Sequence, residues 1–170
     1  ARIVLYVGGD HANAVRAILP PQWSIATTHE MPGAPAIAQH VGVAWRRGTD
    51  VRELELVASL ADTGLADRTL RPGLAFTVDV GGKPVRVLVV HLKAGCRSRD
   101  LDEPLTTRDA VLDPARQDTI ATDCALLRYQ LPLLESWIDA NASRDFAVMG
   151  DFNRTILREP VAETATYRTR

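Results

Sequence analysis

The chain has 170 residues, with 20 Lys or Arg against 21 Asp or Glu, so its formal net charge is −1. This length is sufficient for one domain with a real hydrophobic core, and no run approaches the roughly 20 apolar residues that cross a membrane. The balanced charge gives no indication of a polyanion-binding protein, although a local basic groove is compatible with a neutral total, so a nuclease stays open.

The N-terminal segment is predicted to be a strand followed by a helix. Ile3 to Val7 is an apolar run of strand-forming residues that Gly8-Gly9 interrupts. Asp10 is suited to cap a short helix over Ala12 to Leu19, which Pro20-Pro21 ends.

Two more strands are predicted in the next part of the chain. Trp23 to Thr27 is a strand, followed by a loop rich in Pro, Gly and Ala up to about Ala38. His40 to Arg46 alternates between apolar and other residues, which predicts a half-buried strand. Its apolar face would consist of Val41, Val43 and Trp45.

The middle of the chain contains one ambiguous segment and one clear hairpin. Val51 to Leu60 alternates like a strand, whereas its Leu, Glu and Ala content favours a helix. Leu74 to Val80 and Pro84 to Leu92 flank Gly81-Gly82-Lys83, which is typical of a β-hairpin. Ala94 to Pro114 is predicted to be a long polar loop at the mouth of this hairpin.

A helix is predicted over Arg116 to Ala140, and Pro132 should bend it or split it in two. Mostly antiparallel strands accompanied by helices indicate the α/β (α+β) class, with two sheets stacked and helices on both outer faces. The apolar residues at near-helical spacing are Ile120, Cys124, Leu127, Leu131, Leu134 and Ile138.

The candidate site follows the last predicted strand, Phe146 to Met149. Gly150 stops the strand, and a carboxylate, Asp151, and a carboxamide, Asn153, come directly after it. In an extended chain alternate residues point to the same side, so both oxygens would face one cleft. Such a pair suits a divalent metal together with a phosphate oxygen, although Gly, Asp and Asn are also ordinary turn residues.

A second strand that ends in a polar residue favours the functional interpretation. Val87 to Val90 is followed by His91-Leu92, then by the helix, then by Gly150-Asp151-Phe152-Asn153. In order and spacing this set resembles the endonuclease/exonuclease/phosphatase superfamily, which includes deoxyribonuclease I and bacterial sphingomyelinases. The resemblance covers about residues 1–157 and favours a strand over Val51 to Leu60. It implies four layers, α/β/β/α.

The resemblance also implies an activity, hydrolysis of phosphodiester bonds with Mg2+ or Mn2+. His91, Asp151 and Asn153 would be the catalytic residues, with Asp151 also the metal ligand and Asn153 also bound to phosphate. Lys93 and Arg154, which flank the two strand ends, are candidates to hold phosphate oxygens. The substrate would be nucleic acid, a phospholipid head group or a small phosphoester, and the protein is expected to be a monomer without a membrane span.

Parts of the superfamily pattern are missing. Tyr6 stands where a metal-binding glutamate is expected, and a phenol is a poor magnesium ligand at neutral pH. We expect residues 1–170 to form a single domain that lacks the usual first strand and the C-terminal portion with its Ser-Asp-His segment. The alternative function is therefore a catalytically inactive binding module, or a truncated fragment, on the same fold.

The two cysteines, Cys96 and Cys124, do not form a Cys-x-x-Cys motif, which argues against zinc or redox roles. Exported bacterial members of the superfamily have cysteines at similar places, so the resemblance implies a disulfide and a periplasmic or secreted protein. Two buried thiols in a cytoplasmic protein are the alternative.

Overall fold

The computed structural model describes residues 3–9, 12–37, 39–62, 70–96 and 117–153. Within these ranges lie seven strands, two α-helices and two short 3-10 helices. The strands are β1 (Ile3–Gly9), β2 (Trp23–Thr27), β3 (Gln39–Arg46), β4 (Val51–Val57), β5 (Gly73–Val80), β6 (Lys83–His91) and β7 (Phe146–Asp151). The helices are α1 (Ala12–Ile18) and α2 (Gln117–Asn141), and the 3-10 helices are Thr28–Glu30 and Ala58–Ala61.

The described strands form two sheets. One has three strands in the order β1-β3-β2, and all its pairs are antiparallel. The other has four strands in the order β4-β5-β6-β7. The last pair, β6 with β7, is parallel, because the chain crosses over through α2 between them. Parallel pairing brings the carboxyl ends of β6 and β7 to the same edge of the sheet.

The hairpin between β5 and β6 closes at the predicted residues. Val80 pairs with Lys83, and Gly81 and Gly82 between them have φ of 65° and 83°. Positive φ at both central residues is the backbone of the tight turn that matches the twist of a hairpin, and glycine adopts it without steric cost.

Two apolar clusters hold the layers together. Between the sheets, Val41 and Val43 of β3 pack with Phe76 of β5 and its neighbours. On the other face of the four-stranded sheet, Leu88 and Val90 of β6 pack with residues of α2. The chain therefore has a sheet, a second sheet and a helix in successive layers, and the predicted mixed class with two sheets is confirmed. A fourth, helical layer stays a prediction.

Several element predictions are confirmed and others are corrected. The segment from Val51 forms a strand, with a 3-10 turn only after Val57. β1 continues through Gly8-Gly9, which pair with β3, so the predicted interruption there is wrong. The long helix is not split at Pro132, since packing on both sides of the proline offsets the roughly 3 kcal/mol that an interior proline costs.

The prediction that β3 is half-buried is also wrong. His40 and Ala44, on the face opposite Val41 and Val43, are buried as well. β3 is the central strand of its sheet, and the turn before it folds over His40, which contacts Thr28 and Ile37. Asp10 and most of the predicted loop from Ala94 to Pro114 lie outside the described residues.

None of the helices in the described ranges is both long enough and apolar enough to span a bilayer.

We predict that Leu127→Ala lowers the free energy of unfolding by about 2–5 kcal/mol, as expected for a leucine in a close-packed core. Leu127 is 0% exposed in the cluster that joins α2 to β6. Urea denaturation measures the change, and Leu54→Ala, at a side chain that is 39% exposed, is the matched control. Equal effects of the two substitutions would contradict the packing of α2 on this sheet.

Candidate active site at the ends of β6 and β7

The candidate site begins with two residues that the parallel pairing places side by side. His91 of β6 and Asp151 of β7 are register partners, and Nε2 of His91 lies 3.8 Å from Oδ2 of Asp151. The His91 side chain is 12% exposed, whereas that of Asp151 is 52% exposed. A nearly buried imidazole thus lies against a carboxylate that is open to solvent.

Gly150 is the residue that allows this pairing. Its φ is +135°, a region that residues with a side chain rarely adopt. A Cβ at this position would lie 2.0 Å from the carbonyl oxygen of Val90, which is backbone and has no room to move aside. The glycine is therefore required for the close approach of β7 to β6 directly before Asp151.

Asn153 reaches the site through a turn, not through strand alternation. Its φ is +53°, so the prediction that an extended chain aligns Asp151 with Asn153 is wrong in its geometry. Instead the backbone N–H of Asn153 donates to Oδ1 of Asp151 at 2.8 Å, and its Nδ2 donates to the carbonyl oxygen of Leu92 at 2.8 Å. The tendency of Asp and Asn to form such local side-chain turns explains the conformation.

Arg71, just before β5, is a site residue that the sequence did not indicate. Its Nε donates to the carbonyl oxygen of His91 at 3.1 Å, and Nη2 lies 3.4 Å from that of Leu92. Its Nη1 donates to Oε1 of Gln39 at 2.6 Å. Since Gln39 belongs to the other sheet, Arg71 connects the two sheets at the candidate site.

The same guanidinium lies over the face of the His91 ring. Nη1 of Arg71 is 3.3 Å from Nδ1 and 3.2 Å from Nε2. A position in the ring plane at these distances would overlap Cε1, so Nη1 lies above the ring. The ring nitrogens hold their lone pairs in the ring plane, so an N–H of Nη1 faces the surface of the ring and forms no regular hydrogen bond with either nitrogen.

These contacts favour the neutral form of His91. Burial lowers its pKa below the usual 6.5, the positive charge of Arg71 lowers it further, and Asp151 opposes both. Burial likewise lowers the pKa of Arg71, with Asp151 opposing, but guanidinium pKa values are so high that it stays charged. The effect on stability follows from the pH range between the pKa of His91 in the folded protein and its usual value of about 6.5. In this range the unfolded chain binds a proton at His91 and the folded chain does not, so the free energy of unfolding decreases as the pH falls.

Lys93, predicted to hold phosphate, is engaged with protein groups. Its Nζ lies 2.6 Å from Oδ1 of Asp123 and donates to the carbonyl oxygen of Ala94 at 2.7 Å. Its backbone N–H donates to Oε1 of the fully buried Gln130 at 2.8 Å. A phosphate role for Lys93 requires release from Asp123 and stays a prediction. Arg154, the other predicted phosphate ligand, lies outside the described residues.

The segment that leaves the site is fixed to α2 by a disulfide. Cys96 and Cys124 are bonded, with an S–S distance of 2.07 Å, so the predicted bridge is present. Gly95 lies so close to Asp123 that a Cβ would be 2.0 Å from its Oδ2. The bridge and the Lys93–Asp123 pair thus hold the residues after His91 against the helix.

In the part of the chain that the structure describes, no three His, Cys, Asp or Glu side chains cluster in a way that could hold a metal ion. The predicted metal role of Asp151 therefore depends on one carboxylate with neighbouring oxygens. Tyr6, at the expected glutamate position, pairs through its backbone with Gly42 of β3.

Solved structures share this fold. TDP2 from C. elegans superposes with a TM-score of 0.54 and 15% identity, over 92% of this chain and 39% of that one. ANGEL2, described as a 2',3'-cyclic phosphatase and bound to adenosine-2',3'-vanadate, gives 0.55 and 15%, over 90% and 40%. The human Nocturnin catalytic domain with a bound sulfate anion gives 0.53 and 14%, over 90% and 52%.

All three are enzymes of the endonuclease/exonuclease/phosphatase fold. The resemblance seen in the sequence is thus confirmed at the level of the fold. This chain spans only about two fifths to half of the length of those structures. No family model matches the sequence, and no curated protein is significantly similar to it.

We predict that Arg71→Gln raises the pKa of His91, because it removes the cation that lies over the ring. NMR titration of the His91 ring protons measures the shift. Arg52→Gln, which removes an exposed arginine paired with Asp50, should leave the His91 pKa unchanged. An unchanged His91 pKa in Arg71→Gln would show that the guanidinium over the ring has no electrostatic effect.

We predict that reduction of the Cys96–Cys124 bridge lowers the free energy of unfolding by about 3–4 kcal/mol, the loop-closure value for cysteines 28 residues apart. Thermal denaturation with and without a dithiol measures the change. A Cys96→Ser/Cys124→Ser variant should be less stable and insensitive to the dithiol. Two titratable thiols in the unfolded, unreduced protein would contradict the bridge.

Proposed function

We propose that the chain is part of a divalent-metal-dependent phosphodiester hydrolase. The observation that carries the proposal is the convergence of His91, Asp151 and Asn153 at the adjoining ends of β6 and β7, with Arg71 beside them. The adjoining ends of β6 and β7 thus combine the solvent-exposed carboxylate of Asp151, the carboxamide of Asn153, the neutral imidazole of His91 and the fixed cation of Arg71. Each of these groups suits a tetrahedral phosphate ester.

The electrostatics favour an anionic substrate. Arg71 is held by two main-chain carbonyls and Gln39, so its charge is fixed in place before any ligand binds. Preorganised cations of this kind stabilise charge on a phosphoryl group at little reorganisation cost. The vanadate and sulfate in two of the similar structures are anions of related shape and support this substrate class.

The oxygen donors suit Mg2+ or Mn2+. Asp151 offers a solvent-accessible carboxylate, and the described contacts of Asn153 use its N–H groups and not its Oδ1. Magnesium commonly binds through one or two carboxylates together with waters and substrate phosphate, so a site with a single carboxylate is compatible with it. When bound, the ion would neutralise charge on the phosphate and lower the pKa of a water.

His91 would act in its neutral form. One ring nitrogen then carries a proton that can be donated to a phosphate oxygen, and the other can accept a hydrogen bond or a proton. The lowered pKa keeps this form present at neutral pH, and Arg71 lies against the face of the ring. His91 would therefore position the phosphate or assist proton transfer.

The substrate within this class is left open between nucleic acid, phospholipid head groups and small phosphoesters, because specificity depends on loops more than on the fold. The disulfide also supports the proposal that the protein is exported to an oxidising compartment such as the periplasm.

We predict that the intact protein hydrolyses bis(p-nitrophenyl) phosphate with Mg2+ or Mn2+ and not in excess chelator. Asp151→Asn should lower the rate by about 100-fold or more, the scale of a positioned catalytic group. Asp139→Asn, at an exposed position on α2, is the matched control and should retain the rate. A wild-type rate in Asp151→Asn would overturn the assignment.

A metal titration separates the enzyme from the alternative, an inactive binding module on the same fold, which the tyrosine at position 6 favours. A metal that binds the folded protein raises its melting temperature by mass action. Stabilisation lost in Asp151→Asn, without hydrolysis, would identify a metal-binding module. Absence of any shift at millimolar metal would contradict the proposed metal site.

A further inference from the structure

Gln130, in the middle of α2, connects the helix to two separate segments of the chain. Its side chain is 0% exposed. Its Oε1 accepts the backbone N–H of Lys93 at 2.8 Å, and its Nε2 donates to the carbonyl oxygen of Leu60 at 2.9 Å. An N–H only donates and a carbonyl oxygen only accepts, so these two partners fix the orientation of the carboxamide. Loss of either partner would leave a buried polar group unpaired, which is costly.

The first hydrogen bond holds the peptide group that joins Leu92 to Lys93. The peptide bonds in the described part of the chain are trans, so the N–H and the carbonyl of this planar group point in opposite directions. Gln130 accepts the N–H on one side. On the other side the carbonyl of Leu92 accepts Nδ2 of Asn153 at 2.8 Å and lies 3.4 Å from Nη2 of Arg71. Gln130 therefore fixes the plane in which this carbonyl meets two residues of the candidate site.

The second hydrogen bond holds the segment that precedes Arg71. Leu60 lies in the 3-10 helix after β4, and the carbonyl of the next residue, Ala61, accepts the N–H of Leu70 at 3.0 Å. Leu70 is buried and directly precedes Arg71. The side chain of Gln130 is thus connected both to the peptide group that Arg71 contacts and to the segment that carries Arg71.

We propose that Gln130 is a positioning residue for the proposed phosphodiester hydrolysis, on which its effect on the rate depends. It fixes the peptide group between Leu92 and Lys93, whose carbonyl holds Asn153 and lies against Arg71. Because this carbonyl accepts Nδ2 of Asn153, Oδ1 of the same carboxamide points away from it and is left for the ion or the substrate. Gln130 acts through these neighbours and not by contact with the reacting atoms.

Gln130→Met tests the geometry, because methionine fills a similar space and forms neither hydrogen bond. We expect the side-chain amide signals of Asn153 and the Nε–H signal of Arg71 to shift in the NMR spectrum. Both should exchange with solvent faster by about tenfold or more, because the carbonyl that they surround is no longer held. Unchanged signals in the folded variant would overturn the proposal.

The matched control is the other buried carboxamide of α2, at Asn141. Its Nδ2 donates to the carbonyl of Trp137 within the same helix, at 2.8 Å, and it lies at the opposite end of β7 from Asp151. Asn141→Ala should leave the signals of Asn153 and Arg71 unchanged, even where it lowers the melting temperature. Equal changes in the two variants would show that Gln130 contributes to stability alone.

Gln130→Glu is the conservative variant. Protonated or ionised, its carboxyl group keeps an oxygen that accepts the N–H of Lys93, so the signals of Asn153 should stay close to those of the wild type. Signals of Asn153 as strongly shifted as in Gln130→Met would contradict the role assigned to the hydrogen bond with Lys93.

The rate gives the functional readout. With bis(p-nitrophenyl) phosphate, Gln130→Met should lower kcat/KM about 10- to 100-fold, the scale for loss of an outer partner of a ligand, and Gln130→Glu should restore part of it. A wild-type rate in Gln130→Met would overturn the positioning role. Absence of hydrolysis by the wild-type protein would instead overturn the proposed function, and the NMR signals would still decide whether Gln130 fixes Asn153 and Arg71.

Discussion

The site depends on the parallel contact between β6 and β7. Gly150 permits it, because any side chain there would meet the carbonyl of Val90. The contact places the last residue of each strand, His91 and Asp151, in register, and the backbone N–H of Leu92 donates to the carbonyl of Asp151 at 2.9 Å. The side chains of His91 and Asp151 are therefore positioned by backbone pairing at the ends of two neighbouring strands.

A second constraint acts across the sheets. Arg71 is partly buried between β3 and β6, where an unpaired charge would be costly. Its donors are satisfied by the carbonyls of His91 and Leu92 and by Gln39, and Asp151 lies near enough to affect its pKa. One cation therefore joins both sheets, lies over the imidazole and gives the edge a fixed positive charge.

The features predicted from the sequence are those with local causes. The glycines at positions 81 and 82 predicted the hairpin, and the apolar runs predicted the strands. The order of His91 and Gly150-Asp151-Phe152-Asn153 predicted the position of the candidate site. The closeness of Asp151 to Asn153 was predicted for the wrong reason, since the asparagine lies in a turn with positive φ.

The features that were missed depend on contacts between distant parts of the chain. Arg71 precedes a strand in an unremarkable position, and only the hairpin register carries it to the level of Leu92. Its second partner, Gln39, lies in the other sheet, and no local pattern relates the two residues. The burial of His40 likewise depends on Thr28 and Ile37 folding over β3.

We propose that the ends of β6 and β7 form a single oxygen-rich site for a divalent ion. Paramagnetic broadening by substoichiometric Mn2+ in an amide NMR spectrum tests it most directly. We predict that the signals of His91, Asp151 and Asn153 broaden first, and that Asp151→Asn abolishes this selectivity. Unselective broadening, or broadening centred on residues away from this edge, would contradict a divalent-ion site at the ends of β6 and β7.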